Sequence, residues 1–384
     1  MPIIGILASA GGAAANSAAI AVAHATSPYI SVYPWSAGFG AKYADPATLP
    51  TGTGTSVAFS PDGLDIAVAH SASPNISVYP WANAFGTKYA NPATVPAGNG
   101  RAVAFSPNGA SIAVASFNTP YINVYPWASG FGTKYSDPAT LPTGLGSGIA
   151  FNQNQTAVAI GHATSPRISA YAYTSGLGFG AKYANPATLP TGDGERVSWS
   201  PSGGDIAIAH ATTPFVSAYP WSSGFGTKYA NPVTLPASDG FGISFNPAGN
   251  VIVVGHATTP FVSAYPWSAG FGTKYANPVT LPASDGFGIS FNPAGNVIVV
   301  GHATTPFVSA YPWSAGFGTK YANPATLPPS NVNDATFISD GTVLALAHDS
   351  SPYVSAYAFA SGFSTKYSNP ATLPTGTGRG VDFL

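Results

Sequence analysis

Residues 56–96 read SVAFSPDGLDIAVAHSASPNISVYPWANAFGTKYANPATVP, and a version of this stretch recurs along the chain to the C-terminus. Each copy contains a Lys-Tyr pair, whose tyrosines are Tyr43, Tyr89, Tyr135, Tyr183, Tyr229, Tyr275, Tyr321 and Tyr367. Successive pairs lie 46 residues apart except for one step of 48, so the 384-residue chain holds eight units. Units of this length with several short strands are typical of β-propellers, in which each unit forms one blade.

Unit two shows how one copy is built. Its first strand is predicted over residues 56–60, just before a Pro-Asp-Gly turn, and two more strands are predicted over residues 66–70 and 76–81. A fourth strand is predicted near residues 88–95, where prolines cannot donate to a strand ladder, so this strand should be the outermost. The sequence therefore predicts an all-β fold, an eight-bladed β-propeller with about four antiparallel strands per blade.

The two ends of the chain complement one another. Residues 380–384 match a first strand that no further unit follows, whereas small residues 11–15 replace the first strand of unit one. We therefore expect residues 380–384 to close the ring as the inner strand of the first blade, which removes the open strand edges. Residues 1–17 are then an N-terminal arm or an extra strand, and residues 18–384 form the propeller.

The composition limits the classes of function. Only 7% of the residues are charged and the net charge is −1, which offers no basic surface for nucleic acid. With no cysteine, the chain can form neither a disulfide framework nor a thiolate metal site. The N-terminus lacks the basic residues of a standard signal peptide, and no apolar run is long enough for membrane insertion. A surface this poor in charge also suits self-association.

The segments SVAFSPDG and IAVAH of unit two resemble the WD-repeat family. Tyr79 and Pro80 stand where that family has its Trp-Asp pair, and the Gly-His before the first strand is missing. The full pattern, with its HATSP turn and KYANPATLP segment, is more similar to WD-like propeller proteins of tailed bacteriophages. This resemblance implies a virion component that decorates a capsid or tail or meets the host surface. The implied partners are other virion proteins or a host-surface receptor or glycan.

Aromatic residues in the loop after the third strand are the main candidate binding residues. One set, with Tyr and Phe at two places, comprises Trp35, Trp81, Trp127, Tyr173, Trp221, Trp267, Trp313 and Phe359. The other set comprises Phe39, Phe85, Phe131, Phe179, Phe225, Phe271, Phe317 and Phe363. Three interpretations remain open, namely packing between blades, a protein interface, and stacking on sugars as in a propeller lectin. Sugar sites also need carboxylates or amides, which these loops hardly supply.

Two further rings of residues are interpreted as structural. All seven histidines lie at the end of the second strand of their unit, and unit three has Ser116 at this position. They are His24, His70, His162, His210, His256, His302 and His348. Symmetry places them too far apart to share a metal ion, so we expect hydrogen bonds within or between blades, for example to the tyrosine of the third strand. Those tyrosines, such as Tyr79, should pack between blades, and their hydroxyls need partners.

A catalytic site would need residues that depart from the repeat. The departures that we single out are Arg101, Ser116, Phe117, Arg167, Glu195 and Arg196, and Arg379 also departs from it. No nucleophile–base spacing, phosphate loop or metal motif accompanies them. We therefore expect a structural or interaction module that is not an enzyme and that uses no cofactor or metal, located in a virion or else as a secreted or cytoplasmic soluble protein. If one sector serves a partner, units three to five are the first place to search.

Overall fold

A computed structural model of the protein describes residues 18–384, so the predicted arm of residues 1–17 lies outside the described residues. The described chain is all-β and contains 26 strands. None of its residues belongs to a helix long and apolar enough to cross a membrane.

The strands follow one another in a regular order. In chain order they are β1 (Ala19–His24), β2 (Ile30–Pro34), β3 (Gly54–Phe59), β4 (Asp65–His70), β5 (Ile76–Pro80), β6 (Gly100–Phe105), β7 (Ser111–Ser116), β8 (Ile122–Pro126), β9 (Gly146–Phe151), β10 (Ala157–His162), β11 (Ile168–Thr174), β12 (Gly178–Lys182), β13 (Gly194–Trp199), β14 (Asp205–His210), β15 (Val216–Pro220), β16 (Gly240–Phe245), β17 (Val251–His256), β18 (Val262–Pro266), β19 (Gly286–Phe291), β20 (Val297–His302), β21 (Val308–Pro312), β22 (Val332–Phe337), β23 (Val343–His348), β24 (Val354–Phe359), β25 (Phe363–Lys366) and β26 (Gly378–Phe383).

These strands form eight antiparallel sheets, one for each sequence unit. We number the sheets one to eight in the order of the units, so that sheet one contains β26, β1 and β2, and sheet eight contains β22 to β25. Only sheets four and eight have a fourth strand, which is β12 and β25 respectively. In each of the other six sheets a single bridge, such as that between Trp35 and Phe39, stands in its place.

The prediction of a fourth strand near residues 88–95 is wrong. The two fourth strands that exist end at Lys182 and Lys366, which correspond to the first residue of the predicted segment. The residues after each lysine include two prolines, which have no N–H group to donate to a ladder. In unit two, two backbone hydrogen bonds remain on this edge, from Gly86 N–H to the carbonyl of Pro80 at 2.9 Å and from Tyr89 N–H to the carbonyl of Val78 at 3.0 Å.

The first strand of each sheet lies against the first strands of both neighbouring sheets. We call these the inner strands, and their contacts run in the order β26, β3, β6, β9, β13, β16, β19, β22 and back to β26. The C-terminal inner strand β26 pairs antiparallel with β1, and Val22 lies opposite Val381. The pairing predicted between the last residues of the chain and unit one is therefore present.

The hydrophobic core lies between the sheets. Eight clusters of buried residues each join two neighbouring sheets, including sheets eight and one. At that junction Val343 and Val354 of sheet eight pack with Ile20, Tyr33 and Val381 of sheet one. Both faces of a sheet are thus covered, which explains why the second strands read as continuous runs of small apolar residues.

The third-strand tyrosines link each sheet to the one before it, as predicted. They are fully buried, and in seven of the eight units the hydroxyl donates to the carbonyl of a threonine in the preceding unit, whereas the buried hydroxyl of Tyr171 makes no such bond. Tyr79 Oη lies 2.9 Å from the carbonyl oxygen of Thr48, and Tyr33 Oη lies 2.9 Å from that of Thr372, which joins the first unit to the last. A buried hydroxyl without such a partner would cost about 1–3 kcal/mol.

The histidines bind a different partner from the one predicted. Their Nε2 atoms bond the serine two residues before the third-strand tyrosine, for example His256 to Ser263 at 3.0 Å. Where Nδ1 donates to a carbonyl, as in His302 to Thr304 at 2.8 Å, Nε2 accepts the serine proton and the imidazole is neutral. In sheet three Ser116 accepts instead from Asn123 at 3.1 Å, so both members of the pair have changed together.

Removing residues 378–384 tests the role of β26. We expect the truncated chain to aggregate, because β1 loses its only partner on one side and the core between sheets eight and one loses Val381 and Phe383. Size-exclusion chromatography and circular dichroism measure this. The control is Arg379→Ala, which keeps the strand; a truncated chain that stays monomeric and folded would contradict the prediction.

The histidines make stability depend on pH. Burial lowers the pKa of His256 from 6.5 to about 4, so the unfolded chain binds protons below pH 6.5 that the folded chain does not, and stability is lost as the pH falls. The double variant His256→Ser, Ser263→Asn copies the pair of sheet three. Between pH 7 and pH 5 its unfolding free energy should fall by about 2 kcal/mol less than that of the parent. Equal losses in urea unfolding would refute this.

Candidate functional site

Each inner strand contains one residue more than the strand it pairs with. In sheet two, Gly54 lies opposite His70 and Ser56 opposite Ala69, so Thr55 has no partner in the ladder. The same β-bulge occurs in all eight sheets. A bulge redirects a side chain and is often found beside functional sites.

The extra residues of the eight bulges form a set that we call the bulge ring. It consists of Thr55, Arg101, Ser147, Glu195, Phe241, Phe287, Asn333 and Arg379. Because the inner strands contact one another in order, these residues lie at one end of them in the same order. None of them belongs to a buried core cluster, and the set contains basic, acidic, polar and aromatic side chains.

In seven of the eight sheets a glycine precedes the bulge, where a neighbouring backbone approaches closely, and sheet eight has Val332 at this position. A Cβ atom on Gly100 would lie 2.3 Å from the carbonyl oxygen of Asn75, and one on Gly54 would lie 2.4 Å from that of Tyr29. These carbonyls belong to the turns of the preceding sheets. The inner strand therefore fits tightly against its neighbour at this point, which fixes the position of the bulge that follows.

Four consecutive members of the bulge ring surround a cavity. Asn333, Arg379, Thr55 and Arg101 line it together with Thr53, Asn99, Gly100 and Phe117, and its volume is about 320 Å³. The hydroxyl of Thr55 donates to the carbonyl of Gly100 at 2.6 Å. Neither Arg101 nor Arg379 has an ion-pair or hydrogen-bond partner among residues 18–384. Two guanidinium groups therefore face one cavity, and neither is paired with another of residues 18–384.

The next residue of each inner strand adds a second layer of charge. This position is occupied by glycine, alanine or serine in six sheets, but by Arg196 in sheet five and Asp334 in sheet eight. Burial lowers the pKa of Arg196, and the charges of Asp334 and Glu195 oppose this effect. Arg196 and Asp334 thus interact although their sheets are three apart, which places both side chains near a common axis.

Two carboxyl groups of this region titrate near neutrality. Burial raises the pKa of Asp334 to about 6, although its carboxylate accepts a hydrogen bond from Val381 N–H at 3.0 Å. Burial also raises the pKa of Asp382 to about 7, and the charge of Asp334 raises it further. Burial raises the pKa of Glu195, while the nearby charge of Arg101 lowers it. Clusters of shifted pKa values are typical of functional sites.

The arrangement can bind anions and exchange protons. Guanidinium groups form paired, charge-assisted hydrogen bonds with carboxylate or phosphate oxygens. Asp334 and Asp382 can each hold or release a proton near pH 7. Within the described chain, no group of three or more His, Asp or Glu side chains could hold a metal ion.

The loop aromatics predicted to bind a partner or glycan lie in the core between sheets. The six loop tryptophans are at most 7% exposed, Tyr173 is 2% exposed and Phe359 is 3% exposed. Trp81 stands edge-on to Tyr43 of the preceding unit, with ring centroids 5.0 Å apart, and to Phe85 of its own loop at 5.3 Å. A sugar stacks on an exposed ring face, and the faces of these tryptophans are covered by the packing between sheets.

The phenylalanines of the same loops are partly exposed and pack beside the tryptophans. Phe39, Phe131, Phe225, Phe271 and Phe317 each make an edge-on contact with the tryptophan of their loop. Phe363 contacts Phe359 in the same way, and Phe179 contacts the third-strand residue Tyr171. These contacts match the packing interpretation.

The predicted departures from the repeat fall into three places. Arg101, Glu195 and Arg196 lie on inner strands at or next to a bulge, and Phe117, which is 45% exposed, lines the cavity of Arg101. Ser116 is buried in the histidine position. Arg167 lies on the turn before β11, where it pairs with Asp193 and the carbonyl of Ala163. All six of these residues belong to the adjacent sheets three to five, but they lie at different places in those sheets.

Sequence reasoning missed several members of the site. Arg379 was among the departures from the repeat that the sequence pointed to, whereas Asn333 of the bulge ring, and Asp334 and Asp382 beside it, were not. Aligning the eight inner strands residue by residue would have shown them, because in each strand the residues before and after the bulge are otherwise small or apolar.

Comparisons with known proteins identify the fold. No family model and no curated protein matches the chain. A hydrazine synthase structure from Kuenenia stuttgartiensis superposes with a TM-score of 0.58 at 15% identity, over 80% of this chain and 96% of that one. A 6-phosphogluconolactonase-like protein from Bacteroides uniformis superposes with a TM-score of 0.57 at 14% identity, over 96% of this chain and all of that one. At this identity the likeness shows the fold alone. The chain has a β-propeller fold.

The expectation that the chain is not an enzyme is corrected by these structures. Solved proteins of the same fold include hydrazine synthase and the 6-phosphogluconolactonase-like protein. The expectation rested on the lack of a nucleophile–base spacing, phosphate loop or metal motif beside the residues that depart from the repeat. The bulge ring shows that side chains of different chemistry nevertheless come together on this repeated scaffold. The comparison assigns no reaction to this chain.

Asp334→Asn tests the electrostatics of the site. The raised pKa of Asp334 means that the folded protein holds a proton that the unfolded chain releases, so stability is lost as the pH rises from 3.8 to about 6. Asparagine keeps an acceptor for Val381 N–H and carries no charge. The variant should gain about 3 kcal/mol relative to the parent between pH 4 and pH 7. A difference in urea unfolding that does not change with pH would contradict this.

Proposed function

We propose that the chain is an eight-bladed propeller closed by its C-terminal strand. The contacts between sheets eight and one support closure because they repeat those between all other neighbours. Tyr33 of unit one bonds the carbonyl of Thr372, and Tyr367 packs edge-on against Trp35 at 4.8 Å. The cyclic order of inner-strand contacts supports the count of eight blades. In such a ring the inner strands surround a central channel, and the bulge ring lies at its mouth.

We further propose that this mouth binds a small anionic molecule through a phosphate, sulfate or carboxylate group. The observation that carries the proposal is that Arg101 and Arg379 line one cavity of about 320 Å³ and have no ion-pair partner within the described part of the chain. Asn99, Thr53 and Thr55 add polar atoms to the same lining. Unused donors that converge on a concave site are typical of a ligand pocket.

The opposite part of the bulge ring is apolar. Phe241 and Phe287 have ring centroids 5.3 Å apart, with planes tilted by 35°. Both side chains are partly exposed. A ligand with an anionic group and an apolar body could contact the guanidinium groups with one end and the phenylalanines with the other. Phenyl phosphate has both features and inorganic phosphate only one.

Isothermal titration with inorganic phosphate and with phenyl phosphate tests the site. We expect saturable binding of both, with phenyl phosphate binding more tightly. The double variant Arg101→Ala, Arg379→Ala should weaken binding of both probes by about tenfold or more, because charge-assisted hydrogen bonds are lost.

A matched control removes two positive charges elsewhere. Lys228 and Lys274 bond Asn231 and Asn277 within their own outer loops, so the double variant Lys228→Ala, Lys274→Ala changes the net charge equally without touching the mouth. Equal weakening in both double variants would show a general charge effect and would overturn the proposal.

The virion role implied by the resemblance to phage propellers stays a prediction. Mass spectrometry of purified phage particles that encode this chain tests it, and absence from the particles would refute it. Its outcome is independent of the anion site, since a propeller can bind a ligand wherever it is located.

A further inference from the structure

Each junction between neighbouring sheets contains two donors that face one another. They are the tyrosine of the Lys-Tyr pair and, in most units, the loop tryptophan of the next unit. In two junctions an aspartate at the start of the second strand lies between them. Tyr89 Oη donates to Asp65 Oδ1 at 2.9 Å and Trp127 Nε1 donates to Asp65 Oδ2 at 2.7 Å. One carboxylate thus satisfies both donors.

The second aspartate has the same geometry. Tyr229 Oη lies 2.7 Å from Asp205 Oδ1, and Trp267 Nε1 lies 2.9 Å from Asp205 Oδ2. Since the arrangement recurs three units further on, the spacing of the two donors is a property of the repeat. It matches the two oxygens of a single carboxylate.

The junction between sheets six and seven has the donors without the acceptor. Tyr275 and Trp313 are edge-on with ring centroids 5.0 Å apart at 88°, against 4.9 Å at 90° for Tyr89 and Trp127. The aspartate position is occupied by Val251, which offers no acceptor. Neither Tyr275 Oη nor Trp313 Nε1 has a hydrogen-bond partner among the described residues, although Trp313 is only 6% exposed.

These two donors open onto a cavity. Its volume is about 250 Å³, and Tyr275, Trp313, Val251, Asn246 and Asn250 contribute to its lining. Asn246 Nδ2 donates to Asn250 Oδ1 at 2.8 Å, so the asparagines partly satisfy each other. An apolar cavity of about 150 Å³ accommodates benzene, so this one has room for a small organic acid. Valine fills the volume of the aspartate side chain, and a ligand must therefore approach the donors from the cavity.

We propose that the cavity between sheets six and seven binds a small carboxylic acid, whose carboxylate accepts hydrogen bonds from Tyr275 and Trp313. The ligand carboxylate takes the role that Asp65 and Asp205 have in their own junctions. This site is separate from the mouth of the channel, because no residue lines both cavities. The neighbouring junction of sheets seven and eight cannot form the same site, since Phe359 there replaces the tryptophan donor.

The test is titration of the ¹⁵N-labelled full chain with sodium benzoate and sodium acetate, followed through the indole N–H signals. The Trp313 signal is assigned from its loss in Trp313→Phe. We expect a saturable shift of this signal. Val251→Asp places a carboxylate between the donors, as in units two and five, and should abolish the shift without unfolding the protein.

Other outcomes overturn the proposal. One is that the Trp313 signal does not shift at any concentration at which the acids are soluble. Another is an equal shift of this signal in Val251→Asp. The third is an equal shift of all tryptophan signals, which would indicate a general salt effect. A second variant, Arg101→Ala with Arg379→Ala, should leave the Trp313 shift unchanged. If that variant abolishes the shift, the acids bind at the mouth and the junction site is refuted, whereas loss of phosphate binding alone leaves the junction site intact.

Discussion

The structure depends on the aromatic junction between neighbouring sheets. A third-strand tyrosine donates to a threonine carbonyl of the unit before it, and a loop tryptophan packs edge-on against that unit's Lys-Tyr tyrosine. In a repeat protein much of the stability comes from the interfaces between neighbouring units, so each sheet relies on these contacts with the next. The same contacts join Tyr33 to Thr372 and Trp35 to Tyr367. The last and first units are therefore joined by the same kinds of contact as other neighbouring units.

A symmetric scaffold gains a distinct site through the bulges. The core fixes every second-strand residue, but the extra residue of each inner strand has no ladder partner and packs against no neighbouring sheet's core. Arg101 and Arg379 lie at such positions, and so do Phe241 and Phe287. The asymmetry of the proposed site thus comes largely from the bulge residues. These residues can differ between units without a change in the strand pairing. The paired change of Ser116 and Asn123 shows the opposite case, since a core position changes only together with its partner.

Much of the fold could be predicted from the period, the turn residues and the unmatched C-terminal strand. The burial of the third-strand tyrosines followed from their regularity as well. The site could not be predicted, because the first strand of unit two was placed at residues 56–60 whereas β3 begins at Gly54. Thr55 and its counterparts therefore fell outside the predicted strands, and a bulge cannot be recognised without the pairing of Gly54 with His70. The partner of the histidines was missed because it depends on register, which places Ser263 rather than Tyr265 beside His256.

The central claim is the proposal that Arg101 and Arg379 of the bulge ring bind one anionic group at the mouth of a closed ring of eight sheets. A crystal structure of the full chain grown with inorganic phosphate tests it most directly. The account predicts eight sheets with β26 paired to β1 and a phosphate bound between Arg101 and Arg379. A structure in which these arginines point away from each other, or in which phosphate binds only to the outer-loop lysines, would contradict it.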